Sequence, residues 1–377
     1  MADTEKSSGF GWNALWEKIK GSSTSVTQSI PIPPAQLSDV DPMPRRIESK
    51  NHYFSVVINE MFLAQNKQFL KSYDPLVFSV CEFTYKGQPK VVPFVVGPSL
   101  ISKSIKDVPG GLAITDTQVA GLYPYAGGKL AITIILAQVE TESTVKQILQ
   151  FAHNLARAFP AAAMLESHLK VAGILFDAVE TLLGLPGTKP LIGHRWEYDD
   201  NQTPYLTPGY FALIKDQTPG SHGGRYSVSG GRLFENTSGA PKPYRETDFV
   251  LYSLLARERR NDIDHLPFYY LFDRCLVAAG NPSAESWGRA KAGLVALLQE
   301  MITSPDLTWI QARELIAQFK KEVEATQKLA RDVVSGYDES LSIGPNSRRA
   351  PDIALATGDT QRDQRLGELH ELLSLEV

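Results

Sequence analysis

An α+β fold is predicted: an antiparallel, sandwich-like β region with an inserted helical hairpin, followed by a small C-terminal helical bundle. Three observations carry that expectation. Runs rich in Val, Ile and Phe, bounded by Gly and Pro turns, fill 53–139 and return over 194–256. Between them, 144–183 places apolar residues three and four apart, which is helix-packing spacing. From 266 onward the same spacing dominates. Helices do not alternate with single strands, so a doubly wound parallel sheet is not expected.

The first segment, 1–46, reads as a flexible tail because Ser, Thr and Pro crowd 22–34 and oppose packed structure. One amphipathic island interrupts it. Phe10, Trp12, Leu15, Trp16 and Ile19 fall on one side of a short helix, with Glu17, Lys18 and Lys20 outside that side. Trp12 and Trp16 are therefore candidates for a partner's groove or a weak contact with a membrane surface, and docking onto the protein's own domain is the plainer alternative.

The β-rich domain is expected over 47–257. Strands are predicted at 53–62, 76–85 and 91–96, separated by Asp74-Pro75, Lys86-Gly87 and Gly97-Pro98. The run 130–139 is apolar on both sides, as a central strand would be. The hairpin, 144–184, is predicted from two seams: Val145, Ile148, Ala152, Leu155 and Phe159, then Leu165, Leu169, Ala172, Phe176, Val179 and Leu183. Pro160 suits the first turn of the second helix. Met164, Val171, Ile174 and Leu182 widen its apolar surface beyond one stripe, which makes them candidates for contact with a partner or a second copy. Strands resume at 194–198, 210–215, 226–234 and 249–256, with loops over 218–224 and 235–243.

A helical bundle is expected over 258–337. Pro267 suits a first turn, Gly280 a C-cap, and Ser283 an N-cap for a helix running to about Met301. Thr308-Trp-Ile-Gln311 matches a capping box. The helix it opens carries Ala312, Ile316, Phe319, Val323, Thr326, Ala330 and Val333 in a three-four repeat. The remainder, 338–377, reads as a flexible tail ending in a short helix through Leu366, Leu369, Leu372 and Leu373, a docking tail or a partner motif.

Composition narrows function by exclusion. The chain has 377 residues, 43% hydrophobic and 21% charged, with a formal net charge of -4. Bulk nucleic-acid binding is disfavoured by that balance. Two cysteines flanked by apolar residues exclude a disulfide framework and suit a reducing compartment. The first residues lack the apolar core of a secretory signal, and no run of about twenty apolar residues occurs. A soluble cytoplasmic protein is expected.

Motif tests give no catalytic, cofactor-binding or metal-ligating residues. A phosphate loop needs glycine six places before its lysine and a hydroxyl residue after it; around Lys129 those positions hold Tyr123 and Leu130. His222-Gly-Gly-Arg225 resembles the oxyanion loop of lipases, but no serine here has the G-x-S-x-G elbow. Cys275 and His265 stand ten residues apart, about 15 Å along one helix, too far for a dyad. Neither cysteine has zinc-ligand spacing. The acidic groups Glu197, Asp199 and Asp200, and Asp262, Asp264 and His265, match no known cation loop. Within 257–264 both charge signs mix, as in a solvated face or ion-pair network. Arg257, Arg259 and Arg260 are its candidates for polar contact, since guanidinium groups hold carboxylates bidentately. The expected function is a non-catalytic adaptor or complex subunit that docks protein partners or itself through apolar helical surface. The alternatives are a peripheral membrane or lipid-binding module and, more weakly, a hydrolase without a linear signature.

Overall fold

A computed structural model describes residues 25–65, 67–68, 71–96, 105–108, 111–140, 188–200, 205–215 and 224–341. In chain order the strands are β1 (Ser25–Val26), β2 (Ser29–Pro31), β3 (Leu37–Ser38), β4 (Tyr53–Leu63), β5 (Lys67–Gln68), β6 (Lys71–Tyr85), β7 (Gln88–Val96), β8 (Ile105–Val108), β9 (Gly111–Pro124), β10 (Leu130–Glu140), β11 (Thr188–Tyr198), β12 (Gly209–Ile214), β13 (Tyr226–Ser229), β14 (Arg232–Glu235), β15 (Lys242–Pro243) and β16 (Phe249–Arg257). Three helices follow: α1 (Tyr269–Ala279), α2 (Ala284–Thr303) and α3 (Trp309–Leu341). The chain divides into two compact units, Met1–Glu258 and Arg259–Val377.

The fold is α+β, with three antiparallel-rich sheets in the first unit and three mutually packed helices in the second. The first sheet runs β1-β11-β10-β6, with β7 also paired to β6 and β5 folded back onto its start. The second runs β2-β12-β16-β4-β9-β8, and the third β15-β14-β13-β3. One core draws Val77, Cys81, Ile132, Ile134 and Ile192 from the first sheet and Phe54, Ile58, Val250 and Tyr252 from the second. Phe54 and Phe83 meet edge to face across it, 5.1 Å between centroids. Leu76, Phe78, Val80 and Ile135 point the other way along the same strands and are buried too. Alternate positions that are all buried explain why β6 and β10 read as continuous apolar runs.

A second core joins the third sheet to the second: Tyr226, Val228, Leu233 and Tyr244 pack on Phe62, Tyr210, Phe249 and Leu251. Its polar tie is Glu60 on β4, fully buried, which accepts from Arg245 at 2.7 Å and from the Leu233 N–H at 2.9 Å. Burial pushes the Glu60 carboxyl up, while Arg245, the Leu233 N–H and Arg232 pull against that.

Several expectations need correction. Among the described residues no helical hairpin is inserted in the β region; the predicted hairpin at 144–184 lies outside the described residues. What is described is β10 and β11 paired directly and antiparallel, Val139 opposite Thr188. Residues 25–46, expected within the tail, contribute β1, β2 and β3 and bury Thr27, Ile30 and Ile32. These strands are two or three residues long, and the intervening prolines suit sheet edges, so composition concealed them. The single strand expected at 226–234 is a hairpin, because Gly230 and Gly231 both take positive φ, 53° and 74°, between β13 and β14. The β8–β9 pair was not foreseen at all.

Candidate functional site

The helical unit is set by its caps. The Ser283 hydroxyl accepts from the Ser286 N–H at 3.2 Å and starts α2, while Asn281 holds the Ser283 N–H at 2.9 Å. Thr308 likewise accepts from the Gln311 N–H at 3.3 Å. Gln311 completes no capping box. Its amide instead clasps the Arg260 backbone, accepting from its N–H at 3.0 Å and donating to its carbonyl at 2.8 Å.

Between the helices, Phe272 of α1 and Phe319 of α3 stack with centroids 3.9 Å apart, beside Leu297, Met301 and Val323. Gly293 allows α1 and α2 to approach closely, since a Cβ there would lie 2.5 Å from Cys275 Sγ. Burial pushes the Cys275 thiol up to about 11, leaving it an inert core group.

α2 carries a second apolar stripe at the margin of this core. Trp287 and Leu298 lie one residue on from the buried positions Ser286 and Leu297, about 100° round the helix, and Trp287 and Leu294 are partly buried against the core. With Ile316 they wall a groove along the α2–α3 seam, floored by Leu297, Met301 and Phe319. Lys291, Lys320 and Glu324 stand at its rim, and α1 contributes no lining residue. The Lys291 ammonium sits 5.6 Å from the Trp287 ring centroid. Among the described residues neither Lys291 nor Lys320 has an ion pair. The groove therefore offers apolar walls, an aromatic end and a rim of two lysines and one glutamate, net charge +1.

Of the residues singled out in the sequence, Arg259 and Arg260 do not line this groove. Trp12, Trp16, Met164, Val171, Ile174 and Leu182 lie outside the described residues. Arg259 forms a bidentate pair with Glu314, both bonds 2.8 Å. Arg260 chelates Asp262 at 2.7 and 2.8 Å and donates to the Asp306 carbonyl at 2.9 Å, tying the start of the unit to the α2–α3 loop. Its guanidinium holds the Asp262 carboxyl below the usual range. Arg257 reaches Asp41 at 3.6 Å in an exposed pair. Arg259 and Arg260 thus spend their guanidinium groups on this chain, and the three arginines do not converge.

The β unit's ionisable groups are similarly occupied. Arg195 bridges Glu82 at 2.6 Å, Thr133 at 2.9 Å and Glu197 across the first sheet, and Lys129 pairs with Glu197 at 3.1 Å. His52 Nδ1 accepts from the Glu48 N–H at 2.9 Å. His194 Nδ1 lies 3.0 Å from the Thr27 carbonyl, which can only accept, so that nitrogen donates. Among the described residues, no cluster of three His, Cys, Asp or Glu side chains could hold a metal ion. No described helix is long and apolar enough to cross a membrane.

The sequence signal for the groove is the spacing of Trp287, Lys291, Leu294, Leu298 and Met301, which repeat four, three, four, three on one side of α2. No family model, curated protein or solved structure matches this chain.

Proposed function

We propose that this chain is a non-catalytic interaction protein, an adaptor or complex subunit that docks an amphipathic helical segment in the α2–α3 groove. The observation that carries the reading is the second apolar stripe of α2, which edges the helical core and is only partly buried where it walls the groove. A groove between two helices suits a helix presenting residues three and four apart. The rim lysines favour an acidic occupant. The β unit is read as a sandwich-like scaffold, supported by the core its two six-stranded sheets share. The unpaired buried thiols Cys81 and Cys275 favour a reducing compartment, so the cytoplasm is the proposed location.

The test compares proteins copurified from the native host with the wild-type chain and with Leu294→Glu, at matched thermal unfolding midpoints. The substitution places a carboxylate on the apolar wall, so partners held by the groove are expected to disappear. An identical partner set in both samples contradicts the reading.

A further inference from the structure

We propose that the α2–α3 groove is occupied in cis by the chain's own C-terminal segment, 363–377, so that the protein limits its own docking surface. The inference rests on the reading of the groove as a helix dock.

Anchor spacing is the first argument. Leu366, Leu369 and Leu373 are separated by three and four residues, with Leu372 beside them, which is the pattern a helix uses in a groove. Length agrees. The groove wall from Trp287 to Met301 rises about 21 Å at 1.5 Å per residue, and 363–377 as a helix rises about the same.

Charge favours this segment over the N-terminal amphipathic stretch. Asp363, Glu368, Glu371 and Glu376 stand against Arg365 alone, giving a net charge of -3 opposite a rim of Lys291, Lys320 and Glu324, whose net charge is +1. The N-terminal island around Trp12 and Trp16 has Lys18 and Lys20 against Glu17, the wrong sign for that rim.

Reach permits it. Lys320 lies 21 residues before the end of α3 at Leu341, about 32 Å along the helix. The 24 residues from 342 to 365 can reach at most about 80 Å, well beyond that distance. Tethering of this kind supplies an effective concentration on the order of 1 mM. Against a peptide dissociation constant on the order of 100 µM, that concentration weakens an external competitor about tenfold.

The experiment is a fluorescence anisotropy titration of a labelled synthetic peptide, residues 361–377, against three full-length proteins: wild type, Leu369→Glu/Leu373→Glu, and that double variant carrying Leu294→Glu. The proposal expects the double variant to bind the peptide about tenfold more tightly than wild type, and Leu294→Glu to abolish binding. Lys291→Glu/Lys320→Glu in the double variant serves as a second probe that leaves the core intact, and weaker binding is expected. Equal binding to wild type and double variant overturns cis occupancy while leaving the groove as a dock. Binding that ignores both Leu294→Glu and the lysine reversals overturns the proposal together with the groove. Absence of binding to any variant overturns the C-terminal segment as occupant, and the copurification comparison then judges the groove alone.

Discussion

At Glu60 a single residue decides how two sheets are joined. Its carboxylate is buried, paired to Arg245 and bonded to the Leu233 N–H. Glu60→Ala leaves the half-buried Arg245 without its counter-charge and is expected to cost about 3–5 kcal/mol, read from the urea midpoint at constant slope. A loss under about 1 kcal/mol contradicts the assignment. His194 makes a pH prediction. Burial lowers its pKa, and the Thr27 bond only partly opposes this. The neutral ring therefore contributes fully above the unfolded value of about 6.5, and stability falls as pH drops below it toward the folded value, because the unfolded chain takes up the proton first. His194→Asn, which retains a donor near the Nδ1 position, is expected to flatten the decline in stability between pH 6.5 and 5. Parallel curves for variant and wild type contradict this account. Neither residue was conspicuous in the sequence, because burial and a partner more than a hundred residues away create both effects.

Elements divide by whether their signal is local. The turn at Lys86-Gly87 marks the β6–β7 hairpin directly, both residues having positive φ, 54° and 69°. Ser283 and Gly280 mark helix ends because caps are chemistry of a few adjacent residues. By contrast β1, β2 and β3 exist through pairing with β11, β12 and β13, far along the chain, and their own composition argues for a tail. α2 is legible as an element from its caps, and its second stripe from the helical spacing of Trp287, Leu294 and Leu298. The close packing of α1 on α2 gives this scale its prediction: Gly293→Ala gains helix propensity but drives a methyl into Cys275, for an expected net loss of about 1–3 kcal/mol. Adding Cys275→Ala is expected to recover much of it in a double-mutant cycle. Additive effects of the two substitutions would contradict the contact.

The whole molecule is two units with separate cores, the β unit built on long-range strand pairing and the helical unit on neighbouring helices. The division at Glu258 follows β16. The order of strands within the sheets was not legible, since alternation says which residues are buried and nothing of which strands are neighbours. A unit with its own core is expected to fold alone. Arg259–Val377 expressed by itself should therefore give a helical circular dichroism spectrum and a cooperative melt, and a coil spectrum contradicts the division. The most direct test of the central claim, that the α2–α3 groove docks an acidic amphipathic helix, is methyl NMR of the full-length Leu369→Glu/Leu373→Glu chain titrated with the 361–377 peptide. Shifts at the Leu294, Leu298 and Ile316 methyls are predicted to saturate together. Shifts confined to the sheets, or none at those three residues, would contradict it.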